Sequence, residues 1–363
     1  MPAAAPESAL ESTRPEPLPD VRRGVNAELT ALTLTLRTLG RFLQDPQITE
    51  ICINRPGALF IETGSGWQYV SAAEIDFDWC RRFAKLVANY SHQRVDAATP
   101  LVSAALPGGE RVQLVLPPAT TAGCIAISIR RPAPQLWSIE ELAQRGVFRN
   151  TRRSDSVCDR IDTQLLRLLA ANQFEAFMRL AVRSRRNILV SGPTGSGKTT
   201  WTKALIREIP TDERLITIED APELVLDRHP NHVRLFYSKD DQGLSRVSPK
   251  QLIECCMRMK PDRILLAELR SEEAFDYLRS VNSGHPGSIT SVHATSAELA
   301  FEQLVLLVKQ SAAGRELSRT DIKDLLYLLI DVVIQFDTRQ NQRFIREIWY
   351  EPSRKHRAAA AAS

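Results

Sequence analysis

The sequence Gly192-Pro193-Thr194-Gly195-Ser196-Gly197-Lys198-Thr199 lies near the middle of a chain of 363 residues. An apolar run, residues 187–191, precedes it, and a pattern typical of a helix, residues 198–209, follows it. Glycines let backbone N–H groups converge on phosphate oxygens without a side-chain clash, and the helix adds its positive N-terminus. This strand, loop and helix context predicts a P-loop that binds the phosphates of a nucleotide.

Two side chains of this loop carry the predicted chemistry. Lys198 can bridge the β- and γ-phosphates, and the Thr199 hydroxyl can ligate Mg²⁺. ATP and Mg²⁺ are therefore the predicted ligands. The residues predicted to bind the nucleotide are Gly192, Pro193, Thr194, Gly195, Ser196, Gly197, Lys198, Thr199 and Thr200.

Strands and helices alternate after the loop. Apolar runs predict further strands at 214–219, 263–268, 288–293 and 332–336, and the spacing between them admits crossover helices. Such alternation favours a mostly parallel sheet covered by helices on both faces. We therefore predict an α/β fold, with a RecA-like P-loop ATPase domain and a smaller α/β amino-terminal domain.

The composition divides the chain into five parts. We predict a disordered tail over 1–24, an amino-terminal α/β domain over 25–134, a linker with a short helix over 135–161, the RecA-like domain over 162–352 and a second disordered tail over 353–363. Two folded domains agree with about 100–200 residues per domain.

Short patterns specify the amino-terminal domain. Leucines at three- and four-residue steps predict an amphipathic helix from Asn26 to Gln44, and a second helix is predicted from Asp76 to Gln93. Pro107-Gly108-Gly109 lies between two apolar runs and predicts a hairpin.

Composition also excludes several classes of protein. The net charge is only +4, without the concentrated basic face typical of nucleic-acid binders. No apolar run approaches the roughly 20 residues of a membrane span, and the first residues lack the pattern of a signal peptide. A cytosolic location is therefore expected. Neither a zinc site nor a disulfide framework is expected, because no C-x-x-C pair occurs among Cys52, Cys80, Cys124, Cys158, Cys255 and Cys256.

Carboxylates close two of the predicted strands. Glu268 follows Ile264–Ala267, and Glu219 follows Leu215–Ile218, with Glu223 a little beyond. Ligands of α/β sheets bind at the carboxyl ends of the strands, so both acids are expected beside the P-loop. We predict that Glu268 orients the attacking water and holds Mg²⁺ through water, with Glu219 as its partner. Which of the two is the general base stays open.

A histidine closes a third strand. His293 follows a glycine-rich turn and the apolar run 288–292. From this position it can reach the γ-phosphate or relay its state, and a structural role is an equal alternative.

Four segments of the sequence appear in the same order as the conserved motifs of one known superfamily. They are the P-loop, Ile218-Glu219-Asp220-Ala221-Pro222-Glu223-Leu224, Leu266-Ala267-Glu268-Leu269-Arg270 and Ser291-Val292-His293-Ala294. They resemble the Walker A, Asp box, Walker B and His box of the type II/IV secretion ATPases. Together with amino-terminal segments at 45–50, 54–57, 109–113 and 129–132, the chain is similar, from about residue 28 to 350, to the VirB-type traffic ATPases of bacterial type IV secretion systems.

The resemblance implies an ATP-hydrolysing homo-hexamer that powers substrate transfer, pilus assembly or both. Such a ring docks peripherally at the cytoplasmic face of the inner membrane, on inner-membrane components of the secretion channel, and contacts DNA at most indirectly. By position, Arg111 and Arg130 look like the family's amino-terminal arginines that reach the phosphates when the domains close. Arg258 and Arg270 are further candidates for contacts between subunits.

Three alternatives remain. A type II secretion or pilus ATPase commonly carries a tetracysteine zinc segment, which this sequence lacks. A DNA helicase or recombinase on the same fold needs a basic path with interleaved aromatic residues, and no such pattern occurs. A non-catalytic scaffold that only binds ATP is the third. The sequence does not distinguish DNA from protein as cargo.

Overall fold

The computed structural model describes residues 21–132, 137–151, 159–238 and 243–355, with side chains from residue 29 onward. An antiparallel sheet forms in the first of these ranges, and a mainly parallel sheet forms after residue 187. The predicted end of the amino-terminal domain, Pro134, lies outside the described residues, as do residues 1–20 and 356–363 of the two predicted tails.

The antiparallel unit is built from strands joined by tight turns. Its helices are α1 (Val21–Leu36), α2 (Gly40–Gln44) and α3 (Phe77–Tyr90). Its strands are β1 (Glu50–Arg55), β2 (Gly57–Thr63), β3 (Gly66–Ala72), β4 (Leu101–Ala105), β5 (Arg111–Val115) and β6 (Ala126–Arg130). Their spatial order is β3-β2-β1-β6-β5-β4, and neighbouring strands are antiparallel.

Both predicted helices of this unit form, with shifted ends. Asp76 caps α3 by accepting a hydrogen bond from Trp79 N at 2.7 Å, and the apolar face of the helix packs into the core of the sheet. In the described residues α1 runs from Val21, five residues before the predicted start. A 3-10 turn at Arg37–Leu39 separates α1 from α2, where one continuous helix was predicted.

The carboxyl-terminal unit alternates strands and helices as predicted. Its strands are β7 (Ile188–Ser191), β8 (Leu215–Glu219), β9 (His232–Phe236), β10 (Arg263–Leu266), β11 (Ile289–Val292), β12 (Val332–Arg339) and β13 (Gln342–Tyr350). The helices that precede or connect them are α4 (Ile139–Gln144), α5 (Arg160–Ala170), α6 (Phe174–Arg183), α7 (Lys198–Ile206), α8 (Pro249–Cys256), α9 (Glu273–Asn282), α10 (Ala297–Gln310), α11 (Ala312–Arg315) and α12 (Arg319–Leu329). The short helix predicted in the linker is α4.

The strands of this unit form two parallel groups that meet edge to edge. One group has the order β9-β8-β10, and the other has the order β11-β7-β12 with β13 added antiparallel. Leu269 N donates to Ser291 O at 2.9 Å, which joins the β10 side to β11. The carboxyl ends of β7, β8, β10 and β11 therefore lie along one edge of the unit.

Helices cover both faces of this sheet. On one face, α5, α6 and α7 pack against β7 and β12 around Phe177 and Ile206. On the other face, α8, α9, α10 and α12 enclose a core that includes Leu252, Leu278 and Phe301. Strands buried on both faces read as continuous apolar runs, which explains why the α/β fold was predictable. The α/β prediction is confirmed.

A buried arginine bonds the two units together. Arg214, directly before β8, is fully buried. Its Nη1 donates to Asn54 Oδ1 of β1 at 2.8 Å and to Asn231 Oδ1 at 2.5 Å, and its Nη2 donates to Ser128 Oγ of β6 at 3.3 Å. This contact lies at the amino end of β8. In a parallel sheet that is the edge opposite to the carboxyl ends where ligands bind.

Candidate active site

A pocket opens at the carboxyl ends of β7, β8, β10 and β11. Its volume is about 300 Å³, within the range of small-molecule sites. We call it the P-loop pocket. It is lined by Thr194, Gly195, Gly197, Lys198, Thr199, Thr200, Thr202, Asp220, Glu223, Leu224, Ala267, Glu268, Arg270, Ser291, His293 and Arg343.

The turn after β7 requires glycine at two places. A Cβ built on Gly192 would lie 2.8 Å from Phe336 Cβ and 2.8 Å from Ser196 Oγ, so a side chain there has no room. Gly197 has φ +100°, a conformation that other residues rarely adopt. Gly192 and Ser196 are buried beneath the loop, and Pro193 is exposed outside the pocket, while the other predicted loop residues line the pocket.

Lys198 is held by the loop itself. Its Nζ donates to Gly192 O at 2.7 Å and to Pro193 O at 3.0 Å, and it lies 3.2 Å from His293 Nδ1. Burial lowers the pKa of Lys198, and the nearby Glu268 carboxylate partly opposes this effect. A phosphate anion in the pocket would supply the negative charge that this buried ammonium lacks.

Glu268 lies between a histidine and an arginine. Its Oε1 is 2.7 Å from His293 Nε2, and its Oε2 accepts a hydrogen bond from Arg270 Nη2 at 2.6 Å. The close contact with His293 lacks hydrogen-bond alignment, so the buried Oε1 has no aligned donor within the described ranges. A water molecule reaches this oxygen when the His293 ring moves aside. The structure thus brings together Lys198, Glu268 and His293, as the sequence predicted.

The donor set of the pocket fits Mg²⁺. The Thr199 hydroxyl faces the pocket, and its weak 3.4 Å hydrogen bond to Glu223 Oε2 is easily exchanged. Hard oxygen ligands and water are what Mg²⁺ prefers, and the Glu268 carboxylate lines the same pocket. Thr199 and Glu268 are therefore suitable as a direct and a water-mediated ligand.

Glu219 occupies a different environment from Glu268. It is fully buried and does not line the pocket. Its Oε1 accepts from Thr217 Oγ1 at 2.7 Å and from Arg234 Nε at 3.0 Å, and its Oε2 accepts from Leu224 N at 2.8 Å. Such a satisfied carboxylate is not arranged to orient water. It fixes the turn that carries Asp220 and Glu223 into the pocket.

The two amino-terminal arginines line a second cavity. Arg111 and Arg130 are cross-strand neighbours on β5 and β6, and they face a space of about 430 Å³ that Arg258 also lines. Arg130 Nε donates to Glu50 Oε2 at 3.0 Å. This second cavity shares no lining residue with the P-loop pocket. Within one chain, Arg111 and Arg130 are therefore not brought to the P-loop.

The structure adds residues that sequence reasoning missed. Asp220 accepts from Arg270 Nη1 at 2.6 Å, and Arg343 of β13 reaches the pocket from the opposite side. Asp220 was recognisable, because it follows Glu219 directly.

Two other residues lie outside the described site. His285 is not part of the pocket lining and donates to Pro261 O at 3.0 Å. Cys158 lies outside the described residues.

Comparisons with known proteins agree with this geometry. The profile of a family described as "Type II/IV secretion system protein" matches residues 35–347. The type IV secretion system protein VirB11 of Bartonella henselae is 46% identical over an alignment of 344 residues, which covers 90% of this chain and 94% of that protein. The protein of the same name from Brucella suis is 45% identical over 325 residues, covering 88% of this chain and 90% of that protein.

A solved structure is similar over nearly the whole chain. The crystal structure of the VirB11 ATPase from the Brucella suis type IV secretion system, in complex with sulphate, has a TM-score of 0.89 and 43% sequence identity. It covers 93% of this chain and 99% of that chain. Across the described ranges, no helix combines the length and apolar character needed to cross a membrane.

Proposed function

Because the chain belongs to the family of type II/IV secretion system proteins, we propose that it is the ring-forming motor of a type IV secretion system. It is an ATPase, and the P-loop pocket is the proposed place of hydrolysis. One observation carries this assignment: Lys198, Glu268 and His293 come from three separate strand ends and meet within hydrogen-bonding distance.

The proposed reaction begins with an exchange of hydrogen bonds. Lys198 leaves the carbonyl oxygens of Gly192 and Pro193 and binds the β- and γ-phosphates of ATP. Thr199 would hold Mg²⁺, and the ion would supply positive charge against these phosphates. Glu268 Oε1 accepts a hydrogen bond from the attacking water and orients it.

His293 links Lys198, which binds the phosphates, to Glu268, which orients the water. Its Nδ1 faces Lys198 and its Nε2 faces Glu268. Loss of the γ-phosphate changes the position of Lys198, and His293 transmits that change to Glu268. Glu219 is a positioning residue in this proposal, because its oxygens are bound by the protein.

The charge of the pocket supports a ring. Three cations and three carboxylates line it: Lys198, Arg270, Arg343, Asp220, Glu223 and Glu268. These balance one another before substrate arrives, so the negative charge of Mg-ATP needs further cations in the transition state. Arg111, Arg130 and Arg258 lie together in the second cavity. We propose that a neighbouring subunit presents them to the phosphates, as an arginine finger acts in trans.

Two assays test the site and the ring. Lys198→Ala is expected to abolish phosphate release, and unimpaired turnover would refute the site. For the ring, inactive Lys198→Ala subunits are mixed with inactive Arg130→Ala subunits under conditions of subunit exchange. Sites shared between neighbours regain activity, since an intact P-loop meets an intact arginine. Sites contained within one chain stay inactive.

A matched mixture controls this experiment. Lys198→Ala and Glu268→Gln both fall in the P-loop pocket, so mixing these two variants should restore nothing. Native mass spectrometry of the same samples counts the subunits, for which six is expected.

The proposed location is the cytoplasmic face of the inner membrane, bound through channel components. The support is the family membership. Fractionation of cells tests it: the protein should sediment with membranes and be released by high salt or carbonate. Persistent sedimentation after carbonate would contradict a peripheral location.

A further inference from the structure

An arginine on the last strand overhangs the P-loop. Arg343 lies on β13 opposite Thr338, and it lines the P-loop pocket. A Cβ built on Gly197 would lie 3.4 Å from Arg343 Cδ. The side chain therefore passes directly over the last glycine of the loop. This contact brings a residue from the end of the chain to the loop that precedes α7.

The Arg343 guanidinium differs from the other cations of the pocket in its partners. The other cations of the pocket are engaged: Lys198 binds loop carbonyl oxygens, and Arg270 binds Asp220 and Glu268. The side chain of Arg343, an exposed residue, makes no hydrogen bond or ion pair to any residue that the structure describes. By contrast, Arg346 on the same strand pairs with Asp337 at 3.4 Å. A guanidinium with several unused donors beside a phosphate-binding loop is suited to bind phosphate oxygens.

We propose that Arg343 is a nucleotide-binding residue that contacts the phosphates common to ATP and ADP. The inference rests on the proposed function of the P-loop pocket. The position of Arg343 indicates which phosphates it contacts. The backbone of the glycine-rich loop binds the α- and β-phosphates, whereas Lys198 reaches the β- and γ-phosphates. Gly197, beside Arg343, belongs to this loop.

This position has a kinetic consequence. A contact with phosphates that are present before and after hydrolysis stabilises the ground state and the transition state alike. Loss of this contact raises KM for ATP and weakens the binding of ADP without changing kcat. The proposed arginines of the second cavity would instead lower kcat, because they act on charge that develops in the transition state.

The experiment compares Arg343→Gln with Arg339→Gln in the full-length protein. Arg339 is exposed, lies on the same β12–β13 hairpin and does not line the pocket, so it controls for loss of surface charge. ADP binding is measured by titration with a fluorescent ADP analogue, and ATP turnover is measured by phosphate release. Arg343→Gln should lower the affinity for ADP roughly tenfold and raise KM for ATP by a similar factor. Its kcat should stay within about twofold of the wild-type value. Arg339→Gln should change neither.

Further variants separate the inference from the proposed function. Arg343→Lys keeps the charge and should recover part of the lost affinity. If Lys198→Ala leaves ADP binding intact, the nucleotide site itself is misplaced. If Lys198→Ala abolishes binding while Arg343→Gln binds ADP normally, only the role of Arg343 is overturned. A fall in kcat at unchanged KM would also overturn it.

Discussion

Arg270 holds Glu268 in place: its Nη2 donates to Glu268 Oε2 at 2.6 Å, and its Nη1 donates to Asp220 Oδ2 at 2.6 Å. The hydrogen bond to Glu268 raises the pKa of Arg270. One guanidinium thus ties the end of β10 to the end of β8. Because Oε2 is held by Arg270, Oε1 is the oxygen of Glu268 that lies beside His293 Nε2, 2.7 Å away.

Arg270→Ala is expected to lower kcat roughly tenfold and to change KM little. Without the arginine, Glu268 gains rotamer freedom and its Oε1 spends less time in the productive position. Steady-state phosphate release measures the effect. Arg270→Lys should recover part of kcat through a single hydrogen bond. A rise in KM alone would show that Arg270 binds the nucleotide instead.

Glu268→Gln is expected to lower hydrolysis by about 10² to 10⁴, because the amide is a poor proton acceptor. ATP binding should persist, since the amide keeps the size of the side chain and removes a negative charge from the pocket. Single-turnover hydrolysis and equilibrium binding of an ATP analogue measure the two quantities. Loss of binding together with hydrolysis would contradict this role.

Glu219→Gln is the matched control for Glu268→Gln. Glu219 accepts hydrogen bonds from Thr217, Leu224 and Arg234, and an amide nitrogen cannot accept them. The variant should therefore lose about 1–3 kcal/mol of stability for a donor left unpaired. A normal melting temperature combined with a large loss of kcat would give Glu219 a catalytic role.

Arg214→Met is expected to destabilise the protein by about 3 kcal/mol, because the buried oxygens of Asn54, Asn231 and Ser128 lose their shared donor. Denaturant unfolding measures the loss, and hydrogen exchange should increase in β1 and β6. Arg207→Met is the control, since Arg207 is largely exposed and pairs with Asp227 at the surface. Equal stabilities for the two variants would contradict the role of Arg214.

Glu50 makes stability depend on pH. Burial raises its pKa above the usual 4.5, although Arg130 opposes the shift. A raised pKa in the folded state favours the protonated form, so this contribution to stability is present below 4.5 and is lost as pH rises through the folded pKa. Glu50→Gln removes the titration. The melting temperature of the wild type minus that of Glu50→Gln should therefore fall as pH rises above 4.5. A constant difference would show that Glu50 does not titrate there.

Strand ends made the centre of the site predictable. β7, β10 and β11 are wholly buried, so each reads as a mainly apolar stretch with a recognisable end. Lys198, Glu268 and His293 follow such ends, and a parallel sheet brings those ends to one edge. Local sequence therefore contained both the identity and the approximate position of these three groups.

Partners from distant strands were not predictable. Glu219 and Glu268 both close apolar strands, and what separates their roles is Arg234 on β9, a strand that the sequence did not reveal. β9 lies at the edge of its sheet and alternates buried and partly exposed residues. Arg343 was missed for the same reason: β13 is an antiparallel edge strand with many exposed positions. No local pattern connects it to a loop at residue 197.

The contact made by Arg214 determines how force can pass through the molecule. Sliding the antiparallel sheet along the parallel one would separate the buried Arg214 guanidinium from Asn54 and Ser128. Because water cannot replace these acceptors there, the contact opposes such sliding. In the proposed motor, a rotation of the parallel sheet is therefore expected to carry the antiparallel sheet with it. If copies of the chain assemble into the proposed ring, the larger movements are therefore expected at the contacts between neighbouring copies.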